Sequence, residues 1–381
     1  MGRMVISIAA VVLAILAAPG WAAMAAEDGE GVEHVVVYKE DGGYAGWPAN
    51  QGMWAWGDEI LVGFSLGAHD YDAEGIHPYA GGSGRAVLAR STDGGLTWTK
   101  EELNVESEPA ERVGKPINFT HPGFALLHRG SGAIVYSFDR GKTWLGPRDG
   151  VEIPGYRLRT RNDYLVDGEH AVTAFITTNK ANDREGQVAA VRTVDGGLTW
   201  EKLSWVSYDP EGFSIMPSSV RLSSTELLTV IREQRSTEDG RASALAAYHS
   251  ADDGRTWRQL DYPFPWTTAI DRSSPPALLA LDDGRLLLIY AVREKEGVTS
   301  RISARISGDG GRSWSGEAVV REDSANRDIG YNEAVLRPDG KVVTAYYYHD
   351  EFEPGGSPYR YIAASIFDPD ALDFDSGNEG S

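Results

Sequence analysis

The apolar residues of this chain come in short runs, never in long amphipathic stretches. Runs rich in β-branched and aromatic residues occupy 59–64, 86–90, 171–177, 188–192, 227–231, 244–249, 285–291, 301–306 and 341–347, bounded by Gly, Asp, Asn or Pro. Runs of that length and composition predict strands. Asp167-Gly168, Asp283-Gly284 and Asp339-Gly340 stand beside such runs. Asp-Gly between apolar runs marks a tight hairpin turn.

One phrase is written five times over this pattern. Residues 91–98 (STDGGLTW), 137–144 (SFDRGKTW), 193–200 (TVDGGLTW), 250–257 (SADDGRTW) and 307–314 (SGDGGRSW) share the form Ser/Thr-x-Asp-x-Gly-x-Thr/Ser-Trp. Their aspartates, at 93, 139, 195, 252 and 309, recur about every fifty residues, which reads as a repeat architecture. The hydroxyl and carboxylate suit hydrogen bonds to turn amides, the glycine suits a left-handed backbone, and the tryptophan is an apolar plate for filling space between units.

Each unit thus reads as strand, Asp-Gly turn, strand, longer loop, strand, Asp box, strand. Four antiparallel strands per unit of that length make a propeller blade. Six units fit, at about 47–102, 118–151, 157–206, 213–262, 269–321 and 327–369. The sixth lacks a box, and its outermost strand is expected from 33–39 near the N-terminus, closing the ring and removing an open edge. The expectation is an all-β, six-bladed β-propeller over 33–369, with the boxes structural.

Composition narrows the rest. Residues 1–26 begin with a positive Arg3, continue through an apolar run and end in small residues, which reads as a secretory signal peptide and a secreted or periplasmic protein. Residues 370–381 read as an acidic flexible tail. The chain has no cysteine, so no disulfide or thiolate metal site. Its net charge of −20 disfavours nucleic acid and anionic membranes, and requires any anionic ligand to be held by a local arginine cluster. No cofactor is expected. The eight histidines show no metal spacing, and a structural Ca²⁺ near the Asp/Gly turns stays open. A monomer is expected, with no membrane association after signal cleavage.

Asp boxes on six predicted blades resemble the sialidase (neuraminidase) superfamily over essentially the whole mature chain. The resemblance implies a central funnel in which three arginines hold a substrate carboxylate, a tyrosine activated by a glutamate attacks the anomeric carbon, and an aspartate serves as acid/base. Sialidases depart in this way from the usual two-carboxylate scheme. It makes Tyr331, at the start of the innermost strand of blade six, the candidate nucleophile. Arg232 (with Arg235 as neighbour) takes the place of the second arginine, and Arg301 that of the third, with Arg293 as alternative. The acid/base falls in the loop 67–78, where Asp70 and Asp72 are both eligible. That loop is long and rich in His, Asp and Tyr.

Two family positions are empty. The stretch 44–50 (YAGWPAN) has no arginine, and 213–219 (FSIMPSS) has no carboxylate. Blade three offers substitutes. Arg157, Arg159 and Arg161 alternate before Asp163, and on one strand face they would suit a carboxylate or sulfate, or else form an interblade ion-pair network. Asp271-Arg272 and Arg327-Asp328 open blades five and six, so Arg272 and Asp328 join the candidate binding residues. Asn118 and His121 are candidates for hydroxyl contacts, and Trp47 and Trp54 are read as core. The resulting expectation is an exo-type, sialidase-like glycoside hydrolase releasing a terminal acidic sugar. A hydrolase or lyase on another uronic or ulosonic polysaccharide, and a non-catalytic glycan- or protein-binding propeller, are the alternatives.

Overall fold

The computed structural model describes residues 26–27, 31–70, 77, 79–80, 84–159, 161–183, 185–294, 300–325, 327–349 and 360–374. Six sheets follow one another along the chain. The middle strands are buried on both faces because blades pack face to face. In blade four, eight successive residues of Leu227–Thr237 are buried. Blade six meets blade one through Val343, Ala345 and Tyr347 against Val62 and Phe64. Full burial of each such aliphatic or aromatic side chain contributes roughly 1.5–3 kcal/mol.

The ring closes as the sequence predicts. Val32–Tyr38 pairs antiparallel with Tyr361–Phe367 and forms the outer strand of blade six. The expected signal peptide lies outside the described residues up to 25, whereas Ala26 and Glu27 pair with His34 and Glu33. At the other end, part of the expected tail is docked. Asp368 accepts from the Asp370 amide at a single 3₁₀ turn, and Leu372 is buried on the core shared by blades five and six.

The boxes are built alike. In the first, Ser91 Oγ accepts from the Gly95 amide at 2.8 Å, Asp93 accepts from Thr97 N at 2.9 Å and from its hydroxyl at 2.5 Å, and Trp98 Nε1 donates to Gly95 O. Gly141 shows why the glycine is needed: its φ is 76°, and a Cβ there would lie 2.3 Å from Leu61 Cδ2 of blade one. Its neighbour Trp144 is fully buried against Leu61 and Leu88. Each box follows the third strand of its blade, whose last residue is the box Ser or Thr: Ser91, Ser137, Thr193, Ser250 or Ser307. In blade five Ser307 pairs with Leu286, which pairs with Ala280, so the box and the Asp-Gly turn share one face. At the other end Val292 pairs with Arg301 and Ser273. The funnel mouth that the resemblance implies is therefore sought on the face away from the boxes.

Blade two departs from the expected four antiparallel strands. Its sheet holds Ala125–His128, Ile134–Ser137 and Trp144–Arg148, edged by Val105–Glu106 in parallel. Among the described residues no strand lies inside Ala125–His128. The expected inner stretch sits instead on the box face: Ile117 N donates to Gly196 O, and Asn118 Nδ2 bonds Glu169 beside the Asp-Gly turn of blade three. Asn118 and His121 are thus away from the funnel mouth, because Ile117 and Phe119 are drawn into the core between blades two and three.

Candidate active site

The innermost strands are interrupted where they approach the funnel. Blades one, three and five have theirs in two pieces, and blades four and six carry register shifts. Three non-glycine residues at these breaks have left-handed backbones: Trp47 (φ 57°), Met216 (φ 59°) and Tyr331 (φ 56°). All three pack on the same core cluster, although they come from blades one, four and six. Bulged and strained positions re-aim side chains and cluster at functional sites.

Tyr331 is held there by its neighbours. Its amide donates to Ser274 Oγ of blade five at 2.8 Å. Gly330 before it has φ 105°, and a Cβ would lie 2.4 Å from the same Oγ and 2.6 Å from Ala291 Cβ. The Tyr331 ring faces Tyr347 at 5.7 Å, with the Arg293 guanidinium 5.5 Å from its centroid. Behind them lies Asp328, with no exposed surface. It accepts from Tyr347 Oη at 2.5 Å and lies 3.0 Å from Arg360 Nε, 3.0 Å from His77 Nδ1 and 3.9 Å from Arg293 Nη2. Arg293 donates to Ile329 O and to Tyr347 Oη. Burial alone would raise the Asp328 carboxyl, but Arg360, His77 and Arg293 outweigh it and hold the pKa below the usual value. Burial pushes the hydroxyls of Tyr347 and nearby Tyr44 well upward, so both are protonated hydrogen-bonding groups. Two buried guanidiniums thus converge on one buried carboxylate beside Tyr331.

The other candidates have different surroundings. Asp70 is half-buried beside His69, whose imidazole is lowered first by burial and then by Arg360, with Asp70 acting in the opposite sense. Asp70 therefore lies on the Arg360 side of the funnel, while Asp72 lies outside the described residues. Arg301 points to glutamates, at 2.5 Å from Glu317 and 2.9 Å from Glu294. Arg293, on the second strand of that blade, is the arginine against Tyr331. Arg232 is buried with its guanidinium over the Phe213 ring at 5.5 Å. Arg235 stacks on Trp266 and pairs with Glu211. The backbone of Arg272 lies in the inner strand of blade five, and its side chain is outside the described set.

The blade-three arginines do not share a face. The strand holding Leu158 and Arg159 ends there and the next begins at Tyr164. Arg157 is exposed and pairs with Asp183, Arg159 is exposed, and Arg161 is buried. Arg161 reaches blade six, 3.1 Å from Glu333 and 3.0 Å from Asn332 O. Blades three and six are opposite in a six-membered ring, so this contact crosses the axis. Asp163 beside it accepts from Ser219 Oγ at 2.7 Å. Burial raises Asp163 to about 6 against the opposing pull of Arg161, and raises Glu333 to about 7, with Arg161 opposing and Asp163 reinforcing. Trp54 packs on Trp144 and donates to Tyr164 Oη, the core role expected of it.

A family model described as a BNR repeat-like domain matches residues 125–344, more than half the chain. The chain belongs to that family. In structure this BNR propeller is similar to a protein of unknown function from Dyadobacter fermentans DSM 18053, with 21% identity, TM-score 0.64, and coverage of 89% of this chain and 99% of that one. It is also similar to the NanB sialidase from Streptococcus pneumoniae, with 11% identity, TM-score 0.51, and coverage of 86% and 70%. An α-L-arabinofuranosidase from Fusarium graminearum aligns with 13% identity and TM-score 0.49, over 85% and 92%. At these identities the likeness to the first two is one of fold. No curated protein matches significantly.

Arg360 and Tyr44 of the BNR propeller were not legible as site residues. Arg360 follows a stretch with no strand pattern, and Tyr44 stands where the resemblance implied an arginine. Tyr347 carried a signal in strand alternation: Tyr346 and Tyr348 face the blade-five side, while Tyr347 faces the blade-one side. Among the described residues, no cluster of three or more His, Asp or Glu could hold a metal ion, and no helix is long and apolar enough to cross a membrane.

Proposed function

We propose that this BNR propeller is a glycoside hydrolase that releases a terminal acidic sugar, sialic acid or a related acid, from glycoconjugates. One observation carries the reading: Tyr331 is fixed in a left-handed conformation on the face away from the boxes, beside Arg293, Arg360 and Asp328. Arg293 and Arg360 gather at one place in a protein otherwise strongly acidic. Guanidiniums so placed suit a substrate carboxylate, and a neutral tyrosine nucleophile avoids repelling it. Tyr331 Oη gives its proton to a funnel carboxylate and bonds to the anomeric carbon, while the bond to the departing oxygen breaks and that oxygen takes a proton from a blade-one carboxyl, Asp70 or Asp72. Water then attacks the same carbon, giving a proton back to the blade-one carboxylate, and the Tyr331 oxygen leaves and recovers its own proton. The N-terminal pattern supports export, and the work is placed outside the cytoplasm.

Release of sialic acid from an aryl sialoside tests this. Wild type turns over and Tyr331→Phe does not; a Tyr331→Phe variant that keeps wild-type turnover removes the mechanism. An unsaturated, ultraviolet-absorbing uronate product would instead establish a lyase. One observation favours a second reading, glycan binding without turnover. The carboxylates described nearest the axis are engaged: Asp328 by Arg360 and Tyr347, Glu333 by Arg161, and Asp163 by Ser219. Saturable binding with no product of any kind would select it.

A further inference from the structure

The wall of the funnel is not level. Every box-bearing blade ends its third strand at the same point, the Ser or Thr of the box, so strand length measures wall height. That strand has 7 residues in blade one, 9 in blade three, 11 in blade four and 7 in blade five, but only 4 in blade two. At about 3.3 Å per residue, blade two stands roughly 10 Å or more below the others. Its hairpin is closed at once, with Arg129 N donating to Ala133 O and Gly132 N to Arg129 O. The result is a notch in the rim.

Two cavities meet in this notch. One, of about 350 Å³, runs between blades one and two from Tyr79 and Gln51 to His128 and Arg129. The other, of about 810 Å³, lies between blades two and three beside Tyr156, Arg157 and Arg159. Gly130 lines both. The inner end is tied to the candidate site: the Tyr79 ring is 5.3 Å from Tyr44 and 5.2 Å from Trp47, and Trp47 is 5.7 Å from His77, which bonds Asp328. The outer end continues onto aromatic surface, with Tyr156 5.0 Å from Trp205 and Trp205 5.6 Å from the exposed Tyr208. Four arginines line the two cavities with Asp149 and Glu152, and of these Arg85 pairs with Glu102 and Arg157 with Asp183. Arg129 and Arg159 are exposed.

We propose that the notch over blade two is a binding groove for an acidic oligosaccharide, carrying the chain from the funnel out across blades two and three. This rests on the glycan reading above and names its substrate class: an extended acidic chain, not an isolated terminal sugar. Amphipathic aromatic rings at both ends give faces for sugar rings, and guanidiniums between them donate to carboxylates and hydroxyls. A polymer of this kind needs a gap in the rim, because a closed funnel admits only a chain end.

The experiment is calorimetric titration of the full chain with acidic monosaccharides and their hexamers, in the sialic acid and galacturonic acid series, against a neutral glucose hexamer. An acidic hexamer binds about tenfold or more tightly than its monosaccharide, and the double variant Arg129→Ala, Arg159→Ala loses that advantage. The neutral hexamer shows none. Equal affinity for monomer and hexamer in both acidic series overturns the proposal. So does an advantage unchanged in the double variant, or an equal one for the neutral hexamer. Length-dependent binding without turnover keeps the groove and removes the hydrolase. Turnover of an aryl sialoside without length dependence does the reverse.

Discussion

The two faces of this propeller are made by opposite means. On the box face one solution is repeated. Asp93, Asp195, Asp252 and Asp309 each accept from the amide and hydroxyl of the residue four places on, and Ser91, Ser137, Thr193, Ser250 and Ser307 each accept from a box glycine. On the funnel face the inner strands break in several blades, but with different residues at each break. Trp47, Met216 and Tyr331 occupy strained backbones in three different blades, and the ion pairs join residues far apart in sequence. Repetition secures the frame, and the proposed chemistry rests on singular residues. Loud motifs therefore locate the site only by exclusion.

Substitutions on the two faces should part stability from activity. The largest effects come from one residue on each. Trp144→Ala in the fully buried box tryptophan should cost about 3–5 kcal/mol in urea unfolding, while folded protein keeps wild-type turnover. Trp98→Ala should cost less, because that ring is only half-buried. Asp328→Ala should cost about 3–5 kcal/mol as well, by leaving buried Arg293 and Arg360 without their carboxylate, but it should also abolish turnover. Equal behaviour of the Trp144 and Asp328 variants in both assays would erase the distinction between the faces.

Gly330→Ala comes next, at about 2 kcal/mol, since it forces a side chain into a left-handed position and against Ser274. Its displacement of the Tyr331 amide partner should lower kcat more than stability alone explains. Then comes pH. Glu333 and Asp163 have carboxyls raised by burial, to about 7 and about 6. A raised carboxyl favours the folded state fully below its ordinary pKa, and that contribution fades as pH rises through the folded value. Between about pH 4 and 7 these two should progressively destabilise the fold, and Glu333→Gln should flatten that slope in chemical unfolding curves. Asp328 has the opposite sign: its lowered pKa gives stability present above the ordinary value and lost in stronger acid. The smallest effect is Asp252→Ala on the box face, at about 1 kcal/mol, with ligand binding unchanged.

Strand runs, the box spacing and the 33–39 stretch were enough to read six blades and their closure, because each rests on local periodicity. Blade two escaped that reading: its expected inner strand is captured by the core between blades two and three, through Ile117 and Phe119, a tertiary competition with no local signature. Tyr331 was a candidate through the resemblance, by its place before a strand. Arg360 was not, since its contact with Asp328 joins two positions that both lie just outside strands. The run of Arg157, Arg159 and Arg161 misled for a related reason. Alternation assigns a shared face only while a strand continues, and this one stops at Arg159. Arg161 then turns to Glu333 across the axis, and Arg301 to Glu317 and Glu294, two ion pairs that no spacing announces.

We place function on the face away from the boxes, at Tyr331 and its arginines. A crystal structure soaked with an unsaturated sialic-acid analogue tests it most directly. The account predicts the ligand carboxylate against Arg293 and Arg360, with the anomeric carbon over Tyr331 Oη. A ligand bound on the box face, or one in the funnel with its carboxylate turned away from both arginines, would contradict it.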